Sequence, residues 1–90
     1  MEIRQLEALM AIVTSGSVTA AGRLLGRSQP VVSRQISDLE HELGFILFAR
    51  TRPTITLTPQ GEAFYQEVRG VLADLQQLAS RAQDIAAGQS

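Results

Sequence analysis

The last third of the sequence limits the fold most. Phe64, Val68, Val71, Leu75, Leu78, Ala82 and Ile85 follow one another at spacings of 4, 3, 4, 3, 4 and 3 residues. That is an unbroken heptad seam, and it predicts one long helix. At about 1.5 Å per residue the helix covers about 33 Å between Phe64 and Ile85. Thr58-Pro59 opens it, with a capping residue followed by proline at the first helical position. A chain of 90 residues builds one small core, which is marginal when alone. The seam has two readings. Its first positions, Phe64 and Val68, fit as cover for the domain's own core beside the first helix. From Val71 onward it outruns such a core and needs another surface, most simply the same helix from a second copy. The expected pairing residues are Val68, Val71, Leu72, Leu75, Leu78, Ala82 and Ile85. The predicted division is therefore a domain at 1–58 and a linker helix at 59–90.

Three shorter helices are predicted ahead of it. Over residues 2–14, Ile3, Leu6, Leu9, Met10 and Val13 form one apolar stripe, which Gly16 ends. Ser17 is placed to cap a second helix with Ala20, Ala21, Leu24 and Leu25 on its buried side, and Gly26 stops that helix. After the short link Gly26-Arg27-Ser28, Ser28 caps a third helix and Pro30 sits in its first turn. The third helix buries Val32, Ile36, Leu39 and Leu43 and ends at Gly44. The period then changes. Leu47-Phe48-Ala49-Arg50 and Thr54-Ile55-Thr56-Leu57 read as two short strands, joined by Thr51-Arg52-Pro53 into a hairpin over about 47–57. The predicted class is mainly α: a winged helix-turn-helix of three helices plus a two-stranded wing, followed by a long dimerising linker helix.

Composition removes several functions. With no cysteine there are no disulfides, thiolate metal sites or cysteine nucleophiles, which agrees with a reducing cytoplasm. The single histidine, His41, lies in an acidic stretch without an orienting partner, so neither a zinc site nor an acid–base pair is expected. Neither a cofactor nor an enzymatic role is expected. No apolar run approaches the roughly 18 residues of a membrane span, and Met1-Glu2-Ile3-Arg4-Gln5 does not open like a secretion signal.

The formal net charge of −1 seems to argue against nucleic acid, but the distribution reverses that. Every cation is arginine, and no acid occurs between Glu7 and Asp38, where Arg23, Arg27 and Arg34 lie. Binding to a duplex requires only a locally positive field.

A tight glycine-containing turn between two short helices is the helix-turn-helix signal, here at about 18–37. The outer side of the third helix sharpens it. Pro30, Ser33, Arg34 and Ser37 lie opposite the Val32–Leu39 stripe, with Gln29 at the exposed start. Small side chains let a helix sink into the major groove; Gln29 matches adenine, and Arg34 matches guanine or a phosphate. Ser28, Ser33 and Ser37 can reach phosphates or bases, and the free N–H groups of the helix start suit phosphate. The plainer reading of each residue is a solvated face. Ser17 and Ser28 are caps first, although a cap can also touch phosphate. Arg23 and Arg27 are phosphate contacts or surface charges. Arg50 either contributes to the site or faces an acid beside the strand, and Arg52 at the hairpin tip suits a narrow minor groove. A protein-docking helix is the main rival, but such helices present large apolar anchors, which this face lacks.

Several blocks resemble the LysR-type bacterial transcription regulators: Ile3-Arg4-Gln5-Leu6, Gly16-Ser17-Val18-Thr19-Ala20-Ala21, Ser28-Gln29-Pro30-Val31-Val32-Ser33-Arg34-Gln35-Ile36, Leu39-Glu40-His41-Glu42-Leu43-Gly44, Leu47-Phe48-Ala49-Arg50 and Leu57-Thr58-Pro59-Gln60-Gly61. The resemblance runs to about residue 70. It implies major-groove contacts from Gln29, Pro30, Val31, Ser33 and Arg34, with Ser17, Thr19, Arg27, Ser28, Ser37, Arg50 and Arg52 in the wider DNA-binding set. It also implies an antiparallel linker-helix pair, interrupted inverted repeats near promoters, tetramers of the full-length protein, and a small-molecule effector held by a C-terminal domain absent from this chain. The wing tip departs from the family pattern: Arg52-Pro53-Thr54 stands where many members carry glycine and more basic residues. That either weakens minor-groove contact or leaves it to Arg52 alone.

Overall fold

A computed structural model describes residues 1–49 and 54–88. Its elements are α1 (Ile3–Ser15), α2 (Val18–Leu25), α3 (Gln29–Leu43), β1 (Phe48–Ala49), β2 (Thr56–Leu57) and α4 (Pro59–Ala86). This is the expected winged helix-turn-helix with a long final helix. The helix boundaries fall where the capping residues put them. Ser17 accepts a hydrogen bond from the Ala20 amide at 3.0 Å, Ser28 from Val31 at 3.4 Å and Thr58 from Gly61 at 2.9 Å. Each satisfies one of the backbone donors that a helix start leaves unpaired.

Helix α1 is the centre of the core and packs against α2, α3 and α4. Its buried face is wider than the predicted stripe and turned from it. Ala8, Ala11 and Ile12 are buried with Leu6 and Leu9, whereas Ile3 is exposed and Met10 and Val13 lie at the margin. A helix with neighbours on three sides buries more than one stripe, and the alanines let those neighbours come close. Helix α2 corrects the sequence reading at Leu24, which is 62% exposed. At about 100° per residue, Val18, Leu25 and Gly22 fall on one side of the buried Ala21, and Leu24 falls about 60° to the other. Eight residues cannot bury both sides.

Gly22 sets the angle between α2 and α3. A Cβ there would lie 2.6 Å from the Arg27 carbonyl oxygen, so only glycine lets the turn fold back onto the helix. The Arg27 amide then donates to the Gly22 carbonyl at 2.8 Å. Gly26, at φ +68°, makes the left-handed step that starts this turn.

The wing is a two-stranded antiparallel ladder pairing Phe48 with Leu57 and Ala49 with Thr56. Both ends of the fold hold it. The Glu40 carboxylate on α3 accepts from the amides of Leu47, at 2.7 Å, and Phe48, at 3.3 Å. On the other strand, Thr58 donates from its hydroxyl to the Ile46 carbonyl at 2.6 Å and from its amide to the Leu47 carbonyl at 2.9 Å. The first turn of α4 lies directly on the Leu47 backbone at Gly61.

Helix α4 begins in the core and then leaves it. Phe64 meets Phe45 edge-on, with ring centroids 6.1 Å apart. Val68, which the sequence offered both as core cover and as a pairing residue, is only 3% exposed and belongs to the domain core, so it leaves the pairing set; Leu72 is half-buried against that core. Val71, Leu75, Leu78 and Ile85 are exposed, Ile85 by 73%. Among the described residues, no single helix is long and apolar enough to cross a membrane.

Candidate nucleic-acid interface

Among the described residues, nothing from β1, β2 or α4 covers the polar side of α3, which lies outward. Gln29, Pro30, Arg34 and Ser37 are exposed, Val31 is 45% exposed and Ser33 is half-buried. Arg34 projects into solvent, with 84% of its side chain accessible. Its nearest acid is Asp38, one helical turn on, with Arg34 Nε and Asp38 Oδ2 3.9 Å apart and both residues exposed. Such a pair is worth only about 0.3–0.5 kcal/mol, so the guanidinium remains available to a stronger anion.

The N-terminus of α2 stands beside that of α3. Ser17 is half-buried and occupied as a cap, while Thr19 is exposed, and its hydroxyl donates to Gln29 Oε1 at 3.2 Å. The two helix starts therefore present hydroxyls, an amide and unpaired backbone N–H groups on one side of the molecule, a composition suited to phosphates and base edges.

Arg27 does not join this face. Its side chain is 17% exposed, and its guanidinium donates to the Glu7 carboxylate, to the Arg4 carbonyl at 3.0 Å and to the Gln35 side-chain oxygen at 3.0 Å. It clamps the turn to α1 and α3, which corrects its assignment as a phosphate or surface charge. Arg50 and Arg52 lie outside the described residues.

Three participants escaped the sequence reading. Gln35 and Glu7 hold Arg27 from positions 8 and 20 residues away. Their one signal was sign: Glu7 is the last acid before a long acid-free stretch that contains Arg27. Glu40 looked like part of an acidic cluster, yet its charge is matched to two backbone donors. At the far end of α3, the Glu42 carboxyl is held below the usual carboxylate range, first by the Gln5 amide at 2.7 Å and then by the Met1 ammonium at 2.9 Å.

Comparison with known proteins agrees with this geometry. Residues 3–62 match the family described as bacterial regulatory helix-turn-helix protein, lysR family. The chain is 40% identical, over 91% of its length, to the HTH-type transcriptional regulator ClcR of Pseudomonas putida, of which it covers 29%. A structure titled BenM_DBD/catB site 1 DNA Complex superposes with a TM-score of 0.92 at 42% identity, covering 98% of this chain and 95% of that one. The CbnR_DBD–DNA complex does so with a TM-score of 0.88 at 36% identity, covering 96% and 99%. The chain spans 24% to 40% of the length of the curated relatives compared.

Proposed function

The chain belongs to the lysR family of bacterial regulatory helix-turn-helix proteins, and from that premise we propose that it binds double-stranded promoter DNA sequence-specifically to regulate transcription. Helix α3 enters the major groove. Gln29, Pro30, Val31, Ser33 and Arg34 meet base edges, and Ser17, Ser28 and Ser37 meet the backbone or neighbouring bases. Arg50 and Arg52 serve the wing, Arg52 in the minor groove. The observation that carries this reading is the open α3 face: Arg34 is 84% accessible, among exposed or half-exposed small polar residues. Two solved relatives whose titles name a DNA complex share its fold over nearly the whole chain.

The working unit is a homodimer joined through α4. Val71, Leu75, Leu78 and Ile85 are exposed on one seam, and a soluble helix does not leave such a row to water. Val68 is left out because the core already uses it. Two recognition helices then fall on an inverted repeat with half-sites one or two helical turns apart, at about 34–36 Å per turn. Tetramers and effector response belong to the full-length reading. The chain is a binding module rather than an enzyme, placed in the bacterial cytoplasm where the DNA is.

The test compares Arg34→Ala and Gln29→Ala with Arg81→Ala, far along α4, on a duplex selected by the unmodified chain. Arg34→Ala and Gln29→Ala should each weaken binding by about 1–3 kcal/mol and relax sequence preference, while Arg81→Ala leaves both unchanged. Equal affinity for all three would remove α3 from the interface.

A further inference from the structure

The contact between Thr19 and Gln29 has a consequence for which base is read. The residues are ten positions apart and both exposed, yet the Thr19 hydroxyl donates to Gln29 Oε1 at 3.2 Å. The fold makes this meeting possible. The Ser17 cap fixes Thr19 in the first turn of α2, and the Ser28 cap makes Gln29 the first residue of α3. Gly22, against the Arg27 carbonyl, closes the turn tightly enough to bring the two helix starts together.

A glutamine amide on a helix surface rotates freely and can turn either its carbonyl or its NH₂ toward a base. It therefore reads several bases about equally. The carbonyl oxygen has two lone pairs and the nitrogen two hydrogens. When Thr19 fills one lone pair of Oε1, the amide plane is fixed, with one acceptor site on Oε1 and the Nε2 donors remaining. That acceptor–donor edge matches adenine, whose N6 donates and whose N7 accepts in the major groove. Guanine offers two acceptors there and would leave Oε1 facing an acceptor.

Resting on the reading of α3 as the recognition helix, we infer that Thr19 is a positioning residue: its hydroxyl holds the Gln29 amide in the orientation that selects adenine at one base pair of each half-site. Thr19 then contributes to specificity through Gln29 and not through a contact of its own.

The experiment selects bound sequences from randomised duplexes of about 30 base pairs, long enough for two half-sites. Every single-base change of the selected site is then measured in competition. The proteins are the unmodified chain, Gln29→Ala, Thr19→Val, Thr19→Ser and the double variant Thr19→Val/Gln29→Ala, each checked for unchanged thermal unfolding. Valine keeps the shape of threonine without its hydroxyl; serine keeps the hydroxyl. Thr19→Val should lose about fivefold of the discrimination for adenine, the worth of one hydrogen bond, at the one position that Gln29→Ala also flattens. Thr19→Ser should retain the preference, and the double variant should match Gln29→Ala.

A uniform loss of affinity in Thr19→Val, with the base preference intact, would make Thr19 a backbone contact and overturn the inference. So would a Gln29→Ala variant that flattens a position which Thr19→Val leaves untouched; in that case α3 still reads DNA and only the positioning role falls. If the unmodified chain selects no sequence at all, the recognition-helix reading falls, and this inference with it.

Discussion

Gly61→Ala should destabilise the chain strongly, although it places a better helix former inside a helix. The added Cβ would stand 2.1 Å from the Leu47 carbonyl oxygen and 2.9 Å from its carbon, both backbone atoms that cannot swing aside. To make room, the first turn of α4 must lift off the wing. That loosens the Thr58 bonds to the Ile46 and Leu47 carbonyls, at 2.6 and 2.9 Å. Overpacking of this kind costs about 1–3 kcal/mol. Losing one or two hydrogen bonds adds about 1 kcal/mol each, and the gain in helix propensity returns at most about 1 kcal/mol. The net expectation is a loss of about 1–4 kcal/mol, centred on about 2–3 kcal/mol. For a domain of this size that lowers the melting temperature by about 10–20 °C. Gly70→Ala supplies the control within the same helix: a Cβ there meets nothing within 4 Å, so the variant should gain about 0.5–1 kcal/mol. Both are read by urea unfolding followed by circular dichroism at one fixed protein concentration, because the proposed dimerisation would tie stability to concentration. If Gly61→Ala were as stable as the unmodified chain while Gly70→Ala gained its increment, the close approach of α4 to Leu47 would be refuted.

Arg27→Ala should destabilise the domain by about 1–3 kcal/mol, since it leaves Gln35 and the Arg4 carbonyl without their donor. The salt dependence of DNA binding by Arg27→Ala should stay as steep as before, as measured by titrations across salt concentrations, because its guanidinium is engaged inside the domain. Glu42 is depressed in the folded state, so its contribution is present above the unfolded-state value of about 4.3 and fades as pH falls through its lower folded-state value. Acid unfolding curves should accordingly be shallower in Glu42→Gln below about pH 4. Leu75→Asp should leave the domain folded and convert dimers to monomers in sedimentation experiments, because Leu75 lies on the exposed seam and outside the core.

Features set by local chemistry were legible from the sequence. Ser17, Ser28 and Thr58 all cap helices, and α3 divides into a buried Val32–Ile36–Leu39 side and an open polar side, as spacing alone indicates. What escaped depends on neighbours distant in the chain. Periodicity could not reveal that α1 is packed on three sides, so its buried face was read too narrow. The exit of α4 from the domain was legible, because a core this small cannot cover the seam beyond its first positions: Val68 is buried and Val71 is exposed. Arg27 resembles any other arginine in a basic stretch until Glu7, Arg4 and Gln35 converge on it. Thr19 and Gln29 each read as separate contacts, since nothing local joins residues on two different helices.

The choice of hydroxyls to start α2, α3 and α4 matters for a protein proposed to sit against a polyanion. Aspartate begins a helix as well as serine does, but it would carry a full negative charge to the surface where phosphates must come. A hydroxyl is neutral and has two roles, because its oxygen can accept while its own hydrogen is given elsewhere. Thr58 does both at once, accepting from Gly61 and donating to Ile46. Ser28, which accepts from Val31 at the entrance to α3, has the same hydrogen to offer. One atom can thus close the end of the helix and grip the sugar–phosphate strand, with no electrostatic penalty for either.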